Sequence, residues 1–298
     1  MAGPSRSLTS GGIFYSLARF SLPVLLTLFL QALYGGVDLL VVGQFASTAD
    51  VSGVSTGSML LSTFTMLVTG LSMGPTVTVG EAIGSGSPKE AGRAVLAGLT
   101  LLGSSFLVIQ ALVNSMGTTA SAGVGVGEKV CTFIMLVPSA YTQSMSAFVA
   151  QNRGAGRMDR AQRALRCGIL SSLVVGAFRG ALTFWHGDWL AALFARDPAV
   201  VAAARQYLQA YAIDCLLTPL LFCFTGYFNG CEKTLFVMAQ GIIGAFCVRI
   251  PVAWAMSRLP ETSLFLIGLG TPASSLVQDL LCVGYFLLLM RKSGRESG

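Results

Sequence analysis

Three carboxylates stand deep inside runs that are otherwise apolar or small: Asp38 in FLQALYGGVDLLVVGQF, Asp214 in AYAIDCLLTPLL and Asp279 in SSLVQDLLCVGYF. An isolated Asp near the middle of a membrane span costs about 2.5–3.5 kcal/mol, so it is kept with a partner, a water-filled cavity or a job. The job such a group can do is to take a proton on one side of a membrane and give it up on the other, with a cationic molecule competing for the same place. The alternative for Asp38 is a structural acid satisfied by Gln31 or Tyr34 on its own helix or an adjacent one. Asp214 faces a similar choice between a cavity and the outer leaflet. Pro23, Gly35 and Gly36 remove a backbone hydrogen bond or a side chain from the run that carries Asp38, and so let that helix bend.

Other chemistries find less support. Gly53-Val-Ser55-Thr-Gly57 fits the G-x-S-x-G nucleophile elbow in letters, but that motif needs a strand, a turn, a helix and a His partner. Here it opens an apolar helix, and the sole histidine, His186, sits beside Trp185 at a helix end. No HExxH and no G-x-x-x-x-G-K-[ST] occurs, so zinc hydrolysis and ATP-driven transport are not expected. The seven cysteines form no CxxC pair and lie mostly within apolar runs; they read as small core residues, with no disulfide frame and no metal site. The chain is therefore not expected to be an enzyme, and no cofactor is implied.

The elements that position these acids follow from composition. Of 298 residues, 53% are hydrophobic and 11% charged, and mean hydropathy is +0.71, against about 25% charged residues in a soluble domain. The apolar runs are continuous and near the roughly 20 residues that cross a bilayer, so the fold class is all-α, a polytopic transmembrane bundle rather than a β-barrel. Eight spans are expected, at 14–44, 53–82, 93–116, 122–151, 164–186, 199–229, 235–257 and 264–290. The first is too long for a signal peptide core and is read as a retained span. Basic residues gather in the loops 88–93, 152–163 and 231–233 and in the RKSGRESG tail. The net charge of +6 is thus an orientation signal that puts both termini in the cytoplasm of a plasma-membrane protein, and no nucleic-acid partner is implied. HGDWLAALFARDPAVV is expected outside, with Trp185 and Trp189 at the interface and Asp197-Pro198 starting a helix.

Shifted by 70 residues, the chain aligns with itself: Gly53-Val-Ser-Thr-Gly57 meets Gly123-Val-Gly-Val-Gly127, and Gly84-Ser-Gly86 with Arg93 meets Gly154-Ala-Gly156 with Arg163. Both copies put the Gly-x-Gly on one side of the membrane, which makes the repeat parallel, the pseudo-symmetry common in secondary transporters. The segment 93–116 serves both copies at once. Gly70-x-x-x-Gly74 and Gly80-x-x-x-Gly84 are close-packing spacings.

Several stretches together resemble the multidrug and toxic compound extrusion (MATE) family of cation antiporters. They are Pro23…Asp38 with VDLLVVGQF, EKVCTFIMLVPSAYTQSMSAFVAQNRGAGR at 128–157, LFARDP…YL at 193–208, FNG-C-EKT, and VRIP at 248–251. The resemblance implies two six-helix lobes, of which residues 1–103 look like a partial N-terminal lobe and 104–298 like the C-terminal lobe. Helices four to six, with parts of three and seven, look missing. It further implies export of organic cations or drugs in exchange for H+ or Na+, with Asp38 as the coupling carboxylate, Asp214 as a second candidate on the tenth-helix equivalent, and aromatic and Met side chains lining an apolar cavity. Asp279 stands where the family usually has an apolar residue and, like Arg179, reads as a degenerate substitution. Arg249 reads as packing or as the partner of an acid, and Glu128-Lys129 as an interfacial pair. An internally deleted homologue that does not transport is the rival reading. A homodimer would complete the cavity, although no residue requires one.

Overall fold

The computed structural model describes Leu8 and residues 11–54, 56–57 and 111–296, with Tyr34, Gly35, Asp38 and residues 292–296 described in backbone alone. Within them the chain is helical throughout. α1 (Ile13–Phe45) is one unbroken helix through Pro23. The remainder comprises α2 (Thr118–Ile134), α3 (Leu136–Gly154), α4 (Met158–Ala192), α5 (Pro198–Gly230), α6 (Thr234–Ile242), a π-helical segment (Ile243–Arg249), α7 (Ile250–Ser257), α8 (Leu264–Gly268) and α9 (Gly270–Glu296). Among the described residues six stretches are long and apolar enough to cross a membrane: Ile13–Leu33, Thr118–Gly154, Met158–Ala192, Pro198–Gly230, Thr234–Ser257 and Leu264–Arg291. The expected spans at 53–82 and 93–116 fall largely outside the described residues. So do the loop 88–93, the join at 103, the first copy of the Gly-x-Gly repeat and the spaced glycine pairs.

Two expected loops are shorter than the charge pattern suggested. The basic stretch 152–163 is mostly helix, leaving a turn at 155–157 that closes α3: Gly156 adopts φ 70°, its N–H bonds to the Arg153 carbonyl at 2.9 Å, and the Arg157 N–H bonds to Asn152 at 2.8 Å. That pair of bonds is the Schellman closure, and glycine takes the left-handed position without penalty. At the other end of the bundle the connection expected from His186 shrinks to 193–197, since α4 continues past a kink at His186. α5 then starts where the sequence said, with the Asp197 carboxylate accepting from the Ala199 N–H at 2.9 Å and Pro198 in the first turn.

α5 is the central post, packed by α2, α3, α4, α8 and α9. Its closest partner is α4, which buries a stripe of small residues, Gly168, Ser172, Gly176, Gly180, Thr183 and Gly187. A Cβ on Gly176 would stand 2.5 Å from the Cys215 carbonyl, so only glycine lets these helices meet there. Pro251 explains a further irregularity. It has no N–H for the Cys247 carbonyl, and the span just ahead of it is wound as the π segment.

Candidate functional site

A connected polar core lies inside the bundle. Glu128 is ten residues into α2, where the Tyr207 hydroxyl of α5 donates to its Oε1 at 2.5 Å. The Arg249 guanidinium, at the end of the π segment, stands 3.9 Å from the same oxygen, with side-chain exposures of 13% for Arg249 and 21% for Glu128. Two helical turns along α5 from Tyr207, on the same face, Asp214 is buried. Its carboxylate meets the Ser275 hydroxyl of α9 and feels the charges of Arg249 and Arg179. Asp279, one turn beyond Ser275, feels the charge of Asp214. It is also buried, and neither of its oxygens has a hydrogen-bond partner among the described residues. Three carboxylates thus face two guanidiniums, leaving one negative charge in excess at formal charges.

Several expectations change here. Glu128 is no interfacial residue: α2 carries it inward, and its charge is met by Arg249, an acid partner of the kind read for that arginine. Arg179 has a definite role. Pro138 has no N–H to donate to the Ile134 carbonyl at the junction of α2 and α3, and Arg179 donates to that carbonyl instead. Asp214 lies in neither an open cavity nor a lipid-facing position; it is walled in by protein.

A separate cavity of about 320 Å³ opens between α3, α5, α6 and α9. Its lining is amide and hydroxyl, from Gln143, Gln240, Gln278, Ser139, Thr142 and Thr225, with Leu221 and Phe222 as the apolar wall. The expectation of an aromatic and Met lining fails for this cavity: Phe222 is its one aromatic residue, and no methionine borders it. In the sequence these glutamines are inconspicuous beside the charged residues of the same apolar runs. An uncharged amide in such a run is also costly when unpaired, and that is the signal that marks them.

Asp38 lies on α1, which the structure brings against the bundle: Gly36 packs on the Phe133 ring and Gly43 on the backbone of Phe194. Phe133 in turn meets Phe29 at 6.3 Å and Phe194 at 6.1 Å between ring centroids. Asp38 and Asp214 are thus placed on different elements. Among the described residues no group of three or more His, Cys, Asp or Glu is arranged to hold a metal ion.

Comparison with known proteins agrees with this architecture. The MatE family model matches residues 23–109 and 98–255, two stretches that overlap at 98–109. The chain is similar to the probable multidrug resistance protein YoeA of Bacillus subtilis, 23% identical over 194 residues, 65% of this chain and 42% of that protein. It is 26% identical over 184 residues to the probable multidrug resistance protein NorM of Listeria monocytogenes, 59% of this chain and 38% of that one. It is 25% identical over 182 residues to the FAD transporter of Shewanella oneidensis, 60% of this chain and 39% of that one. The matched region therefore spans between 38% and 42% of these relatives' lengths. Among solved structures, an outward-facing multidrug resistance MATE family transporter of the MOP superfamily gives a TM-score of 0.69 at 12% identity over the whole of both chains. A MATE in complex with MaL6 gives 0.66 at 13%, again over the whole of both. At such identity the likeness is one of fold.

Proposed function

Because the chain belongs to the MatE family, a family of multi-pass membrane transporters, we propose that it exports drug-like organic cations in exchange for H+ or Na+, with Asp38 and Asp214 as the coupling carboxylates. The observation that carries this reading is the polar core: three carboxylates inside the bundle against two guanidiniums leave room for one proton or one monovalent cation. Binding of that ion changes the charge of a network spanning α2, α4, α5, the π segment and α9. An equilibrium between two arrangements of the helices can respond to such a change. On α1, Pro23 and the Gly35-Gly36 pair supply bending points beside Asp38. With the basic loops and tail in the cytoplasm, both termini lie inside and the coupling ion enters as cargo leaves. The cargo crosses unchanged, so the action is transport and not catalysis.

A second reading, a homologue that inserts without transporting, is favoured by one observation: α1 is hydrogen-bonded to the rest of the bundle at both of its ends. Efflux of ethidium from cells lacking their own pumps separates the two. The native chain should lower retained dye, and Asp38→Asn and Asp214→Asn should each abolish that effect at equal membrane abundance. Dye retention at background in all three supports the non-transporting reading instead.

A further inference from the structure

We propose that the cavity between α3, α5, α6 and α9 binds an uncharged, planar heterocycle bearing an imide edge, such as an alloxazine or pyrimidine-dione ring, by hydrogen bonds to Gln240 and Gln278. The cavity lies roughly 12–15 Å of helix from the basic end of the bundle, counting residues at 1.5 Å each, and is therefore inside the membrane's depth. No charged residue lines it. A cation lodged there would be desolvated without a counter-charge on the wall, which is unfavourable. What the wall offers is amide chemistry. Gln240 is only 5% exposed and its Oε1 accepts no hydrogen bond among the described residues. Gln278 uses its Nε2 to donate to the Ser274 hydroxyl at 2.9 Å, which leaves its carbonyl oxygen to accept.

Two carboxamide acceptors call for a guest with N–H donors. Paired carboxamide contacts are how Gln and Asn read a donor–acceptor edge on an adenine ring. The Phe222 ring and Leu221 supply the apolar surface on which a flat ring packs. At about 320 Å³ the space is at the lower end of ligand pockets, the size of a two- or three-ring guest. The surrounding backbone is shaped for it: Gly244, in the π segment that follows Gln240, has no Cβ where the Gln278 amide lies, and π windings of this kind recur at functional sites. The proposal goes beyond cation export. It rests on the export reading only for any passage of the guest across the membrane, and its test measures binding apart from transport.

The probe is lumichrome, an uncharged fluorescent three-ring alloxazine with two N–H groups, titrated into the full chain in nanodiscs with empty nanodiscs as the blank. Saturable binding is expected, weakened about tenfold when both N–H groups are methylated, since a methylated nitrogen cannot donate and leaves a buried acceptor unpaired. Gln240→Leu and Gln278→Leu should weaken lumichrome similarly while leaving ethidium binding unchanged. Binding that does not saturate, or equal affinity for the methylated ring, overturns the proposal; the methylated ring tests it on the native chain even where a substitution fails to fold. Lumichrome binding without ethidium efflux would count against the export reading alone. Efflux without lumichrome binding would count against this proposal alone.

Discussion

Pro138 leaves the Ile134 carbonyl without its helical donor, and the guanidinium of Arg179 fills the gap from another helix. A charged donor bonded to a carbonyl in a membrane interior contributes more than a surface bond, and an abandoned buried carbonyl costs about 1–3 kcal/mol. Arg179→Met should therefore destabilise the chain by about that amount, read as a lower melting temperature in detergent. In a Pro138→Ala background, where residue 138 again has an N–H to offer, the same substitution should cost less, and equal costs in both backgrounds would refute the pairing. The arginine was visible in the sequence as an anomaly in an apolar run. Its purpose was not, because the carbonyl it serves lies 45 residues away and becomes orphaned only once Pro138 is placed in a helix. Glu128 was obscured in the same way. Its neighbour Lys129 made it look interfacial, and only the approach of Tyr207 and Arg249 from distant segments turns it into a member of an internal network.

Hydropathy located the middles of the helices well and their ends poorly. Charge marks where a chain leaves the apolar layer, but a helix stops only where its last carbonyls find other donors, as they do at Gly156. The helix start at Asp197 was legible because its chemistry is local: an acid followed by proline. The sequence did not disclose that the same carboxylate also accepts from the Thr48 hydroxyl at 2.6 Å, which ties α5 to the helical residues after α1. The Thr48 hydroxyl and then the Ala199 N–H hold the Asp197 carboxyl below the usual carboxylate range, and the Ser47 hydroxyl and N–H do the same for Asp50. A carboxyl whose folded pKa is depressed adds stability that is present above its unfolded value, about 3.9, and lost as pH falls through the folded one. Melting temperature should therefore hold from pH 7 to about pH 5 as far as these two groups are concerned and fall below about pH 4. Asp197→Asn, which keeps an oxygen for the cap but cannot titrate, should fall less steeply over the acid range. An identical acid slope in the variant would show that this tie does not contribute.

At the scale of the molecule, the question is whether α1 is a moving part or a fixed wall. At the basic end, the Leu8 N–H donates to Gln151 at 3.0 Å, Arg160 donates to the Gly11 carbonyl at 2.7 Å, and the Ser21 hydroxyl donates to Ser144 at 2.8 Å. At the far end, Gln44 donates to the Ala192 and Leu193 carbonyls at 3.1 and 3.2 Å and accepts from Arg196 at 2.7 Å, while the Arg196 N–H reaches the Gly43 carbonyl at 3.2 Å. The sequence resemblance placed α1 in a lobe of its own, but it could not reveal this stitching. The bonds run largely to backbone carbonyls, which no residue pattern announces, and they depend on Gly43 letting α1 touch the Phe194 backbone. Alternating access requires one end of a cleft to open while the other stays shut, so one set of these bonds must break in each half of a cycle. Net bonds of about 0.5–1.5 kcal/mol each are weak enough to break singly and strong enough, several together, to hold a state. A disulfide joining Gln44→Cys to Leu193→Cys makes the far-end set permanent. If α1 moves during export, oxidation should cut ethidium efflux by about tenfold or more, and a reductant should restore it. Efflux that persists after the cross-link forms would show that α1 is a wall of the bundle and that access alternates elsewhere.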